Sequence, residues 1–448
     1  MTATDPALTP ATLFARETLW QSYLDVEATL AEVQAELGVI PDWAAADIRA
    51  AASLDRIGPA ALMADIRRTM APILSLTRLL ADASGKAGAY VHWGATTQNV
   101  MQTGRILLIR QADDAIRRAL SRVVRRLGGL AGTHAETLMV GRTNRQHALP
   151  ITFGFKVAGW IEELDRAADR LDGGRDRLFA LPFGGAVGAM HAFGTDGREI
   201  NRRLAARLGL RELLVPGRTS NDLFADYVVQ LSLLAMTIER IASELYLLMT
   251  QEIGEIAETL DAGTVGSSTM PHKINPKFVV KVLAEAAELR GMAGTALETG
   301  RSSHEGDAAN NQLLGSVLDR AVPLAWTLVE GFDGLLARIA VDDARMAANA
   351  GLTGGAIATE RLMMQLAPMT GRAAAHDLIH HALDHRRDGA TVAEALLADP
   401  RIGAHLDADG IRDALDPSGY CGDSARIARD AAALADRLAR SLAGDQIR

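Results

Sequence analysis

The run Asp222-Leu-Phe-Ala-Asp-Tyr-Val-Val-Gln-Leu-Ser-Leu-Leu-Ala-Met-Thr-Ile-Glu-Arg-Ile-Ala-Ser-Glu-Leu-Tyr-Leu-Leu248 decides the fold class. Val228, Leu231, Leu234, Ile238, Ile241, Leu245 and Leu248 recur at three- and four-residue spacing, and Ile253 and Ile256 continue the pattern. No proline falls between Pro216 and Pro271, so nothing in that window forces a break. The spacing predicts one helix over residues 222–259, roughly 50 Å long at about 1.5 Å per residue. A helix of that length, apolar on more than one side, needs neighbours along its whole length, which means a bundle and an oligomer.

Outward from that run, residues 101–138, weakened near Gly128 and Gly129, and residues 151–179, just after Pro150, read the same way. Aromatic residues are only 4% of the chain, Ala, Leu, Arg and Glu abound, and strand-like alternation is nearly absent. The expected fold is therefore all-α, in three regions: an N-terminal helical region over 1–94, a central long-helix bundle over 95–340 and a C-terminal helical region over 341–448. The turn Leu352-Thr-Gly-Gly355 opens the last.

Composition narrows the function. With 448 residues, 48% hydrophobic and 23% charged, the chain is long enough for a large core and is not disordered as a whole. Lys plus Arg total 47 against 55 Asp plus Glu, a net charge of −8, which disfavours nucleic acid and anionic membrane as partners. The positive groups for an anionic small molecule must then be local. Cys421 is the only cysteine, so no intrachain disulfide or cysteine metal cluster is expected, which fits a reducing cytoplasm. Residues 1–20 carry Asp5, Arg16 and Glu17 without a continuous apolar run, and the longest uncharged stretch, 178–195, is interrupted by Pro182 and His191; neither a secretory signal nor a membrane span is expected.

The chemistry-bearing stretch is Gly263-Thr-Val-Gly-Ser267-Ser268-Thr-Met270-Pro-His272-Lys273-Ile-Asn275-Pro-Lys277, a polar, donor-rich loop between two long apolar helices. Its glycines and prolines predict a mobile segment, and its Ser, Lys and Asn side chains can converge on a carboxylate. On composition alone an ordinary interhelix loop is an equal reading.

From Gly266 to Pro276 this run resembles the signature loop of the fumarase/aspartase superfamily. Further blocks match in order: His92-Trp-Gly-Ala-Thr96-Thr97-Gln98-Asn99, then Gly141-Arg142-Thr143-Asn144-Arg145-Gln146-His147-Ala-Leu-Pro150, then Gly184-Gly-Ala-Val-Gly188. Tyr23-Leu-Asp-Val-Glu27, Leu352-Thr-Gly-Gly355 and Asp416-Pro-Ser-Gly-Tyr420 extend the likeness over nearly the whole chain. Within the superfamily the chain most resembles the branch holding adenylosuccinate lyase and 3-carboxy-cis,cis-muconate cycloisomerase.

The resemblance implies a homotetramer with a 20-helix core, active sites shared among three subunits, a small-molecule carboxylate substrate and no cofactor or metal. It makes Ser267 the general base that takes a proton from the carbon next to a carboxylate. Lys273, Asn275 and loop N–H groups would hold the resulting aci-carboxylate dianion, whose collapse expels the β-substituent. It places Thr96, Thr97 and Gln98 as donors to a substrate carboxylate, and Thr143, Asn144, Gln146, Ser268, Met270 and His304 around the substrate. By themselves Thr96, Thr97 and Gln98 read as turn or N-cap residues ahead of the helix at Met101. The Gly184 to Gly188 run lacks nucleotide-motif spacing and by resemblance is a close-approach turn.

Departures from the branch are as informative. Arg142-Thr143-Asn144 stands where adenylosuccinate lyases and fumarases have Arg-Thr-His, and an asparagine amide cannot donate a proton as an acid. The acidic pair of the cycloisomerase branch becomes Asn99 and Gln102, its loop arginine becomes Ile274, and its Thr-Gln-Arg-Asp run becomes Thr219-Ser220-Asn221-Asp222. Without the usual imidazole, elimination is easiest for a leaving group that departs as a weak base, such as a carboxylate or nitrite. An amine requires prior protonation or a proton from His147, His272 or His304, with His147 the foremost candidate. Elsewhere, His376, His380, His381 and His385 lie at helical spacing and read as a solvated or subunit-facing surface rather than a metal site. Arg218 and Arg301 read as surface charges or as contacts to a second substrate carboxylate. Fumarate-releasing β-elimination is the leading reading, and cycloisomerisation of 3-carboxymuconate the alternative.

Overall fold

The computed structural model describes residues 8–261, 263–264, 267, 269–270 and 272–444. Of the described residues, 70% are helical. Its longer helices are Arg16–Glu36, Thr97–Thr133, Phe153–Leu178, Asp222–Leu248, Phe278–Glu298, Ala308–Leu336 and Ser424–Ala443. Among the described residues six short strands form three two-stranded sheets: β1 (Leu138–Thr143) with β2 (Gln146–Thr152), β3 (Ala180–Leu181) with β4 (Arg211–Glu212), and β5 (Ile256–Glu258) with β6 (Ile339–Val341). No described helix is long and apolar enough to cross a membrane.

Three expected spans are corrected. The helix from Asp222 stops at Leu248, because the chain turns through Thr250 and Gly254, where φ is 64°, and returns Glu255 N–H to the Leu248 carbonyl at 3.1 Å. Ile256 keeps its buried side as part of a strand, so the apolar pattern continues while the backbone changes. The second helix starts at Thr97 and ends at Thr133. Gly128 and Gly129 lie inside it; a Cβ on Gly128 would stand 2.8 Å from the Ala435 methyl, so that glycine permits close packing rather than a break. The third begins at Phe153, because residues 146–152 are spent in β2.

The chain divides into two compact units. One comprises Met1–Arg118, Ala167–Thr237 and Ala284–Glu330. Leu24, Leu30, Ile48, Leu62, Ile73 and Leu76 from its N-terminal helices are fully or almost fully buried. Pro59 and Pro72 open two of those helices, where a missing N–H costs nothing. Tyr227 is wholly buried and donates to Asp113 Oδ1 at 2.8 Å, while Arg175 pairs with Asp113 and, at 3.2 Å, with Asp114. The other unit comprises Ala119–Arg166, Ile238–Leu283 and Gly331–Arg448. Its C-terminal part packs Leu362, Leu366, Leu396, Ile402 and Ile411 into one cluster, and Val140 of β1 meets Ala350 and Ile357 in another.

Candidate active site

In the first unit the Thr96 block forms a helix start. The Thr96 carbonyl accepts N–H groups from Asn99 (3.0 Å) and Val100 (3.4 Å), and Thr97 is the first helical residue, with its side chain exposed. Gln98 is buried, and its Nε2 donates to the Arg218 carbonyl and, at 3.0 Å, to Asn311 Oδ1. Asn99 donates to the Pro182 carbonyl (2.9 Å) and accepts the Gly185 N–H (2.8 Å), so this block clasps the glycine run. A Cβ on Gly184 would lie 2.7 Å from the Gly188 carbonyl oxygen and 2.8 Å from Pro216, the close approach that the run requires.

The exposed His304 stands on a turn at φ 53° beside this network. Arg218 Nε donates to the neighbouring Glu305 carbonyl at 3.1 Å, which connects the His304 turn to Gln98 through Arg218. Asp307 fixes the turn by accepting N–H groups from Ser303 (3.2 Å), Ala309 (3.1 Å) and Asn310 (3.2 Å). Those bonds, led by Asn310, hold its carboxyl below the usual aspartate value. Arg301 pairs with Glu298 at 2.9 Å on the surface. Beside the block, His92 Nδ1 meets the buried Glu27 at 2.6 Å; burial alone pushes the imidazole down, but the Glu27 hydrogen bond and charge outweigh it and raise the pKa.

In the second unit β1 and β2 form a hairpin whose register pairs Thr143 with Gln146 and Arg142 with His147. Asn144 and Arg145 make its two-residue turn, both at positive φ (49° and 65°), the pattern of a type I′ turn, in which asparagine is favoured. Thr143, Asn144 and Gln146 are exposed at the tip, and His147 is half-buried, its Nδ1 without a hydrogen-bond partner among the described residues. The hairpin is anchored by Arg142, which reaches the buried Glu255 through two contacts of 2.6 and 3.0 Å. Asn349 Nδ2 adds a third bond to that carboxylate at 2.8 Å.

The signature loop belongs to the same unit. Ser267 Oγ accepts the Met270 N–H at 3.2 Å and faces the Thr269 N–H at 3.5 Å, and Lys273 N–H closes onto the Met270 carbonyl at 2.9 Å. The side chains of Met270, His272 and Lys273 are exposed, and Asn275 is half-buried. Ser268 lies outside the described residues. A cavity of about 700 Å³ has Arg145 and Pro276 in its wall, with Arg240 and Glu244, so the hairpin tip and the loop's end share one concavity.

Glu255 and Glu258 stand in none of the matching sequence blocks; both fall in the span 222–259 expected as one helix, and the turn and strand found there are what bring their carboxylates to the hairpin and the loop. Elsewhere, His380 Nδ1 pairs with Asp384 (3.0 Å) and His385 Nδ1 donates to the His381 carbonyl (2.9 Å); no group of three or more His, Cys, Asp or Glu among the described residues can hold a metal ion.

Residues 8–291 match the family model described as Lyase, and residues 355–431 the model described as Adenylosuccinate lyase C-terminus. The chain belongs to the fumarase/aspartase superfamily. Among superfamily members it is 34% identical to N-acetyl-S-(2-succino)cysteine lyase of Dickeya dadantii, across 90% of this chain and 88% of that one. It is also 34% identical to nitrosuccinate lyase of Streptomyces davaonensis, across 92% and 90% of the two chains. A crystal structure of 3-carboxy-cis,cis-muconate lactonizing enzyme from Pseudomonas putida superposes with a TM-score of 0.88 at 31% identity, covering 96% of this chain and 97% of that one. The superfamily holds lyases and cycloisomerases, and this chain is an enzyme of that family.

Proposed function

We propose that this enzyme is a cofactor-free lyase that eliminates a β-substituent from a succinate-like substrate and releases fumarate. The observation that supports it most is Ser267, whose Oγ faces two backbone N–H groups of its own loop. A serine is a weak base until its alkoxide is stabilised, and N–H donors aimed at the oxygen supply that stabilisation. Ser267 takes the proton from the carbon beside a substrate carboxylate. Lys273 and Asn275 hold the aci-carboxylate, and the β-substituent departs with the bonding pair. Thr96 and Thr97 donate to a substrate carboxylate, with Gln98, whose Nε2 is spent on the Arg218 carbonyl and Asn311, holding that block in place, and Thr143, Asn144, Gln146, Ser268, Met270 and His304 stand around the substrate. His147 is the foremost group for protonating a leaving group that needs it.

Asn144 in place of an imidazole favours leaving groups that depart as weak bases. The names of the two lyase relatives specify succinates substituted through sulfur and through a nitro group; nitrite departs as a weak base, and a thiolate, though more basic, also departs without a proton from an acid. The test is to incubate the enzyme with fumarate and, separately, N-acetylcysteine, nitrite, ammonia and amino acids, and to read adducts by mass spectrometry. An adduct that Ser267→Ala slows by roughly a hundredfold or more supports the reading. Adducts formed equally by both proteins overturn it. The structural likeness to the lactonizing enzyme keeps 3-carboxymuconate as the second substrate to try, read as loss of its diene absorbance without fumarate.

The proposal extends to a cytoplasmic homotetramer with active sites shared among three subunits. Its support is apolar surface on long helices: Met236, Tyr246 and Leu247 on Asp222–Leu248 and Leu297 on Phe278–Glu298 are each 41% or more exposed.

A further inference from the structure

The signature loop is tied at its stem by residues outside the superfamily run. Glu258, the last residue of β5, accepts the N–H groups of Lys277 (2.6 Å) and Phe278 (3.0 Å) on Oε2 and that of Val279 (2.8 Å) on Oε1. These donors are the residue before and the first two residues of Phe278–Glu298, where a helix leaves N–H groups unsatisfied and presents the positive end of its dipole. A neighbouring side chain normally serves as the cap; here the cap comes from 19 residues upstream, across the whole loop. The next residue, Thr259, donates its N–H (2.8 Å) and Oγ–H (3.0 Å) to the Arg338 carbonyl. The Arg338 guanidinium in turn lies 4.3 Å over the Phe278 ring and 3.7 Å from Asp261. Entry residues 258–261 and exit residues 277–279 are therefore clasped directly by Glu258 and indirectly by Arg338, all within one compact unit.

We propose that Glu258 is a positioning residue for catalysis, with Arg338 as its support: the clasp fixes the loop's two ends and thereby sets where Ser267, Lys273 and Asn275 stand. The physical reason lies in loop closure. Holding both ends of a long loop removes end-to-end freedom and so lowers the entropy cost of placing the groups the loop carries. Asn275 is two residues from Lys277, whose N–H Glu258 grips at 2.6 Å, so displacement at the clasp passes directly to the dianion-holding side chains. A carboxylate is needed because both oxygens accept; glutamine keeps one acceptor and turns its NH₂ toward an N–H, leaving two donors opposed.

This inference rests on the proposed elimination for its kinetic arm, and a second arm needs no substrate. Glu258→Gln, Glu258→Asp and Arg338→Met are prepared as full-length protein beside Ser267→Ala. The first readout is amide hydrogen exchange by mass spectrometry. Exchange at Lys277, Phe278 and Val279 is expected to quicken at least tenfold in Glu258→Gln while Asp222–Leu248 keeps its protection. The second is adduct formation from fumarate and N-acetylcysteine. Turnover is expected to fall ten- to a hundredfold in Glu258→Gln at nearly constant KM, to recover partly in Glu258→Asp, and to fall less in Arg338→Met. Unchanged exchange at 277–279, or loss of turnover that merely follows a lowered melting temperature, overturns the proposal. If the wild type makes no adduct, the elimination reading fails for that acceptor, and exchange alone decides for or against the clasp.

Discussion

At the scale of single residues, Asn144 joins backbone geometry to chemistry. It occupies the first left-handed position of the hairpin turn, where asparagine is among the few non-glycine residues at ease. Histidine is also enriched at positive φ, so Asn144→His is expected to fold at a stability cost below about 1 kcal/mol, checked by chemical denaturation. In elimination the new imidazole can give its proton to a departing amine, and in the reverse addition it takes that proton from the attacking amine, neither of which the amide can do. Amine addition to fumarate is therefore expected to rise at least about tenfold, with a pH–rate limb near the ordinary histidine value of about 6.5. A variant that folds but gains nothing with amines shows that the hairpin tip stands away from the leaving group.

At the scale of elements, the loop and hairpin motifs were legible as blocks of residues, but the strand that anchors them was not. Ile253 and Ile256 continue a helical spacing while sitting in a turn and a three-residue strand, because so short a strand shows too few residues for a period of two to compete with 3.6. With 222–259 expected as one helix, nothing in the sequence set Glu255 and Glu258 apart as anchors. The hairpin was missed for a related reason: Asn144-Arg145 lacks the glycine that marks most type I′ turns, and the partly buried strands around it carry no clean alternation. The long helices, by contrast, were visible from apolar spacing and absent proline, with errors confined to their ends. The hidden anchor carries an energetic consequence. Glu255 is fully buried and its charge is met by Arg142, so Arg142→Leu strands a buried carboxylate beside Asn349 alone. The expected loss is about 3–5 kcal/mol in urea unfolding, and Arg142→Lys recovers only part of it because a point charge cannot make the two-pronged contact. A loss within about 0.5 kcal/mol shows that the pair stabilises nothing.

At the scale of the whole molecule, two consequences follow, one for each kind of interior. In the first unit burial raises the Asp113 carboxyl to about 6, against the opposing pull of Arg175 and Tyr227. The folded chain holds that proton more tightly than the unfolded chain, whose carboxyl titrates near about 3.9. The stabilisation is fully present below about pH 4 and is lost as pH rises through about 6, so the melting temperature is expected to fall over that window and to flatten in Asp113→Asn. The second consequence concerns assembly. If each active site draws its loop from one subunit and its Thr96 block from another, two inactive variants repair each other when mixed. Under the proposed elimination, Ser267→Ala lacks the base, and Thr96→Val/Thr97→Val lacks the carboxylate donors. In a random equal mixture a site is intact when its loop comes from the second variant and its helix start from the first, a chance of about one half times one half. Mixed, unfolded and refolded together, the two are expected to regain about a quarter of wild-type turnover, while each alone stays inactive. A mixture that stays inactive despite light scattering at tetramer mass means that one subunit supplies both blocks, and the shared-site arrangement is then wrong for this enzyme.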